Sequence, residues 1–104
     1  MRRARVDVMG QRAGVLEEPT PGRYRFRYDD AYSGPPVSLS LPVSKREFVF
    51  EIFPPFFEGL LPEGAMLEGL LHQCKIDRTD LFGQLLAVGG DMVGAVTVTR
   101  GDHA

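Results

Sequence analysis

The sequence predicts an α+β domain: an antiparallel β-meander with two or three short helices packed against it and a closing C-terminal strand. Three observations carry this. The first half alternates in character with period two, most strictly in Arg23-Tyr24-Arg25-Phe26-Arg27-Tyr28, and side chains on a strand point to opposite faces in turn. The second half changes to helical spacing, with Met66, Leu67, Leu70, Leu71 and Cys74 on one face. Strands come first and helices after, an order that sets helices on one face of an antiparallel sheet.

The elements follow in order. Residues 5–9 read as a strand, Gly10-Gln11-Arg12 as its break and residues 14–18 as a return strand, making a hairpin. Residues 19–22, with two prolines and a glycine, are turn chemistry. The strand at residues 23–28 places Tyr24, Phe26 and Tyr28 toward the core and Arg23, Arg25 and Arg27 outward. After a loop at residues 29–36, Val37-Ser38-Leu39-Ser40-Leu41 alternates again and stops at Pro42. Residues 44–53 read as an extended segment running up to Pro54-Pro55, with a strand over Phe48-Val49-Phe50-Glu51-Ile52-Phe53 as the alternative.

Residues 56–61 form one or two helical turns, with at least one of Phe53, Phe56 and Phe57 anchoring them in the core. Pro62 suits a first helical position and Glu63 the first turn of the next helix. Asp77-Arg78-Thr79-Asp80 ends that helix and offers caps for another, in which Leu81, Phe82, Leu85 and Leu86 repeat at helical spacing. Gly89-Gly90 stops it, and residues 93–99 make the final strand. Residues 1–104 are expected to be one domain, with 101–104 a disordered tail.

Composition narrows the function classes. The net charge is −2 with 43% hydrophobic and 25% charged residues, so the molecule as a whole has no bulk attraction to nucleic acid. The charge is uneven: residues 1–27 hold seven Arg against Asp7, Glu17 and Glu18, whereas residues 28–104 hold five Lys/Arg against eleven Asp/Glu. Solvated strand faces account for this, and a basic strip meeting an acidic or nucleic-acid partner is the sharper alternative. A single cysteine, Cys74, excludes an intrachain disulfide and suits a reducing compartment. No signal-peptide pattern and no membrane-spanning run are visible, so a cytoplasmic setting is expected.

Catalytic constellations are hard to find. His103 sits next to the C-terminal residue, and His72 and Cys74, two apart on a helix, do not face each other. Cys74 fits a small buried hydrophobe. Asp29-Asp30 suits a turn, and Glu58 and Glu63 suit solvated helix ends. Phosphate-binding fingerprints are absent. Asp80-Leu81-Phe82-Gly83 is superficially similar to a kinase Asp-Phe-Gly signature, but it has an inserted Leu and no accompanying His-Arg-Asp run. No catalytic, cofactor or metal residues are assigned, and an enzyme is the least favoured class.

Pro55-Phe56-Phe57-Glu58-Gly59-Leu60-Leu61-Pro62-Glu63-Gly64 closely resembles a hallmark of the HipA N-terminal subdomain. A second stretch agrees: Asp80-Leu81-Phe82-Gly83-Gln84-Leu85-Leu86, then Gly89-Gly90-Asp91 and Gly94-Ala95-Val96, resembles that subdomain's closing helix, turn and strand. Ser38-Leu39-Ser40-Leu41-Pro42 is similar to a family strand that ends at a Pro-containing loop. The resemblance implies a relation to serine/threonine kinase toxins whose catalytic residues lie beyond this subdomain. It further implies similarity to HipS, the small component of split three-part toxin–antitoxin systems, in which the small protein can act as antitoxin. The expected partners are a HipA- or HipT-like kinase and, in a ternary complex, a HipB-like DNA-binding protein. No membrane partner and no direct nucleic-acid contact are expected.

A subdomain that packs on a larger body keeps an apolar docking face when it is encoded separately. The candidate contact region is Leu61, Pro62, Glu63, Gly64, Ala65 and Met66, between the two predicted helices. Many relatives place a bulky aromatic just after the Pro-Glu-Gly; this chain has Ala65-Met66 and no Trp. Met66 belongs either to the helix core stripe or, since Met adapts to irregular pockets, to the partner contact. Three functions follow as alternatives: an inhibitory kinase-binding protein, an accessory subunit that completes or activates the kinase, and a nucleic-acid binder using the arginine strip.

Overall fold

In the computed structural model, which describes residues 1–91 and 95–101, one sheet carries five strands in the order β4-β3-β2-β1-β5. They are β1 (Arg2–Val8), β2 (Gln11–Thr20), β3 (Arg23–Tyr28), β4 (Glu47–Phe50) and β5 (Val96–Arg100). All four neighbouring pairs are antiparallel. Three helices, α1 (Pro55–Glu58), α2 (Gly64–Cys74) and α3 (Leu81–Val88), lie between β4 and β5 in the chain. The α+β architecture is the one the residue pattern predicts, including the closing strand.

The first hairpin turns one residue earlier than expected. Val8 pairs with Gln11, so Met9 and Gly10 are the whole loop. Both have positive φ, 51° and 82°, the conformation whose twist matches that of the flanking strands. A register shift at Val6/Asp7 then makes Ala13 an extra residue in β2, and Ala13 is buried. Beside it, β3 crosses so close to Gly14 that a Cβ there would lie 2.2 Å from the Arg27 carbonyl oxygen.

Strict alternation in β3 is borne out. Phe26 and Tyr28 are fully buried, Tyr24 is half-buried, and Arg23 and Arg27 are exposed. Phe26 packs on Phe57 of α1, ring centroids 5.8 Å apart, and Tyr24 stacks on Phe82 of α3 at 6.3 Å. The helices thus cover one face of the sheet and Leu16, Val6, Val98, Phe57, Phe82 and Leu85 fill the space between.

The segment Val37-Ser38-Leu39-Ser40-Leu41 is not a strand of the sheet. Ser38 and Leu41 bridge each other across a tight turn, and Ser40 N–H donates to Ser38 Oγ at 3.3 Å. The alternation survives, with Val37 and Leu41 buried and Leu39 95% exposed. Here the period-two pattern reports a tethered turn: the buried Tyr28 hydroxyl accepts from Val37 N–H at 2.9 Å and donates to the Leu41 carbonyl. The strand alternative within residues 44–53 is realised in shorter form, as β4, which stops at Phe50 and not at Phe53.

Helix ends follow local chemistry with one correction. Pro55 opens α1 at its first position, and Asp80 caps α3, its carboxylate accepting from Gly83 N–H at 3.1 Å. Pro62, by contrast, lies before α2 and does not begin it. Glu63 is the extended capping residue, and Gly64, at φ 60°, starts the helix. Lys75 ends α2 in the left-handed conformation. At Gly89 α3 tightens into a 3₁₀ turn, Gly89–Asp91, pressed on β5 so closely that a Cβ would lie 1.9 Å from the Val98 carbonyl oxygen. Gly101 N–H extends the β5 edge of β1 by donating to the Arg3 carbonyl at 3.1 Å. Residues 93–94, expected in the last strand, and 102–104, expected as tail, lie outside the described residues. No helix among the described residues is long and apolar enough to cross a membrane.

Candidate docking surface

Helix α2 is amphipathic, yet none of its residues is buried. Leu67, Leu70 and Leu71 are half-buried but do not join the hydrophobic core, and Met66 is 76% exposed. The reading of Met66 as a core residue is therefore overturned, and so is that of Cys74, which is exposed at the helix end. The reason is tertiary. The covered sheet face is already filled by Phe57, Phe82 and Leu85 from the other two helices, which leaves α2 stacked outside them.

That stacking opens an apolar groove of about 570 Å³. Leu60 and Pro62 line it from the α1–α2 connection, Met66, Gly69, Leu70 and Gln73 from α2, and Ala87 and Val88 from the end of α3. Among the described residues Gln73 is its single polar side chain. Of the six residues singled out from sequence, Pro62 and Met66 line this groove; Leu61 is half-buried against the core, while Glu63, Gly64 and Ala65 are exposed at its approach. Leu60, Gly69, Leu70, Gln73, Ala87 and Val88 were not legible as a site. Gly69 inside a helical pattern was the one available signal, and a Cβ there would meet nothing within 4 Å.

The arginine strip resolves differently. Arg3 and Arg25 converge on Glu17 at 2.8 and 2.7 Å, Arg5 pairs with Asp7 at 2.7 Å, and Arg12 pairs with Asp29 at 2.9 Å. Arg23 meets Glu51 at 3.3 Å and Arg27 meets Asp30 at 3.8 Å. Arg2 grips Glu18 at 2.8 Å and Asp80 at 2.9 Å, and lies 5.1 Å over the Phe82 ring. Every one of the seven arginines in residues 1–27 thus has a carboxylate partner, so the strip is a charge-balanced lattice. The hydrogen bonds that Arg2 donates to Glu18 and Asp80 raise its pKa further, and the bond from Arg2 holds the Asp80 carboxyl below its ordinary range.

Among the described residues no group of three His, Cys, Asp or Glu could hold a metal ion. His72 is exposed, and His103 lies outside the described residues. Glu58 and Glu63 are exposed and have no ion-pair partner among the described residues.

The model of the HipA N-terminal domain family matches residues 4–99. This chain belongs to the HipA N-terminal domain family. A solved structure described as the N-terminal domain of HipA toxin superposes with a TM-score of 0.80 at 31% identity, covering 100% of this chain and 96% of that one. An uncharacterized protein of Haemophilus influenzae is 37% identical over 99 residues, 94% of this chain and 92% of its own length. A protein of Sinorhizobium fredii whose name marks it as a candidate kinase, Y4dM, is 32% identical over 111 residues; the match takes in 95% of this chain but 27% of that protein. The hallmark residues 55–64 of this HipA N-terminal domain build α1 and the start of α2, beside the groove.

Proposed function

We propose that this HipA N-terminal domain is a non-catalytic binding protein that associates with a HipA- or HipT-like serine/threonine kinase in the bacterial cytoplasm and neutralises it, as a HipS-like antitoxin. The single observation that carries this is α2: an apolar stripe which the described residues leave exposed at Met66 and only half-buried at Leu67, Leu70 and Leu71. Inhibition by such a protein needs no chemistry. Binding that favours an inactive arrangement, or blocks the active site, is sufficient. The Haemophilus influenzae relative of nearly equal length supports a short protein of this kind. A HipB-like DNA-binding protein joins the same assembly in this reading.

The test is to mix the protein with the HipA-type kinase of a neighbouring gene. A co-eluting complex with reduced kinase activity is expected. Met66→Glu should abolish the complex while leaving the melting temperature unchanged, because an exposed helical position tolerates Glu. Absence of co-elution together with unaltered kinase activity refutes the proposal.

One observation favours a second reading, in which the domain completes the kinase and activates it. In the Sinorhizobium fredii protein a similar region is 27% of a longer chain named as a candidate kinase. Co-expression separates the two, since growth recovers with an antitoxin and worsens with an activator.

A further inference from the structure

The walls of the groove say what kind of segment it accepts. It is bounded by α2 and the end of α3, whose interior backbone N–H and C=O groups are satisfied within their own helices. Nothing there resembles a free sheet edge. An extended peptide laid in the groove would bury its own backbone polar groups against Met66, Leu70, Ala87 and Val88, with Gln73 the one polar side chain among the described residues to answer them, and each unanswered group is costly. A segment that satisfies its own backbone carries no such cost, and that segment is a helix. The length agrees: α2 has 11 residues, which is about 16 Å at the α-helical rise, enough to face about three turns of a partner.

Charge adds the second requirement. Most carboxylates of the described residues are paired with arginine. Glu58 and Glu63 are not, and they bracket in the chain the connection that supplies Leu60 and Pro62 to the groove. Both are exposed, so a cation brought by a partner meets them without displacing an internal pair.

From this geometry we infer that the groove between α2 and α3 receives an amphipathic helix of the partner kinase, its apolar stripe seated on Met66 and Leu70 and a lysine or arginine at its edge meeting Glu58 and Glu63. The inference rests on the kinase-binding reading above and specifies the occupant of that surface. Association through it is salt-sensitive in proportion to the charges involved.

The experiment compares the intact protein, the E58K/E63K variant and an E47K control in binding to the HipA-type kinase across a salt series. Glu47 is an unpaired, exposed carboxylate on β4, away from the groove. E58K/E63K is expected to bind about ten-fold more weakly and to lose most of the salt dependence, whereas E47K matches the parent. In parallel, Met66→p-benzoylphenylalanine is photo-crosslinked to the kinase and the captured peptide sequenced. The expected peptide has apolar residues at helical spacing with a basic residue three or four positions from one of them. If the intact protein binds the kinase but E58K/E63K binds equally well, or the captured peptide lacks that pattern, the helix assignment is wrong while kinase binding stands. If the intact protein does not bind, kinase binding itself fails and the inference falls with it.

Discussion

Replacing Tyr28 by Phe removes one oxygen atom and strands two backbone groups. The hydroxyl accepts from Val37 N–H at 2.9 Å and donates to the Leu41 carbonyl. Tyr28 is fully buried, and Val37 and Leu41 are 5% and 3% exposed, so water does not readily replace the lost partner. A buried donor or acceptor left unsatisfied costs about 1–3 kcal/mol, and two such groups amount to roughly 2–4 kcal/mol after partial relaxation. For a domain of about 100 residues, each kcal/mol lowers Tm by about 4–8 °C. Tyr28→Phe should therefore melt roughly 10–30 °C below the parent, measured by circular dichroism on a reversible thermal scan. Tyr32→Phe provides the comparison, because the Tyr32 hydroxyl satisfies only the Pro35 carbonyl, and its drop should be at most half as large. A Tyr28→Phe variant melting within about 2 °C of the parent would show that the turn at residues 37–41 is not held by this hydroxyl.

Other perturbations are equally specific. The hydrogen bond from Arg2 is the main reason the Asp80 carboxyl titrates below its ordinary range, helped by Gly83 N–H and the Arg2 charge and opposed by burial. That depression stabilises the fold fully above the ordinary Asp pKa, and the contribution disappears as pH falls through the lower folded value. Asp80→Asn keeps the helix cap but loses the ion pair. It should be about 0.5–1 kcal/mol less stable at neutral pH, the partial exposure of both groups limiting the effect. Acid titration of its urea midpoint should be flatter than the parent's below about pH 4. Gly89→Ala drives a methyl into the Val98 carbonyl and should cost roughly 1–3 kcal/mol, with faster amide exchange in β5; parent-like exchange would contradict the close contact. Because the arginines of residues 1–27 all have carboxylate partners, no shift of DNA or RNA is expected at low salt. A complex that weakens steeply with added salt would overturn that.

The arginine strip marks one boundary of sequence reading. Its alternation was plain in Arg23, Arg25 and Arg27, and so was its placement on the outer face. The partners were not, because Glu17 reaches Arg25 and Glu51 reaches Arg23 across strand registers that no local pattern encodes. The same holds for Arg2, whose guanidinium joins Glu18 on β2 to Asp80 at the head of α3, 78 positions away in the chain.

Local chemistry settled most of what is local. Period-two alternation in residues 23–28, the Asp80 cap and the change to helical spacing after residue 60 determine strands, helices and their order, because each depends on neighbours within a turn or a pleat. The hallmark at residues 55–64 made the family legible for the same reason. The site was a different matter. Met66, Leu67, Leu70 and Leu71 form an apolar stripe whether or not anything covers it, and spacing alone left Met66 open between the core and a partner contact. Only the tertiary structure decided: Phe57 and Phe82 already occupy the space above Phe26 and Tyr24. A sheet face has room for a limited volume of side chains at protein packing density, and the helix left without a place on it becomes the surface offered to a partner.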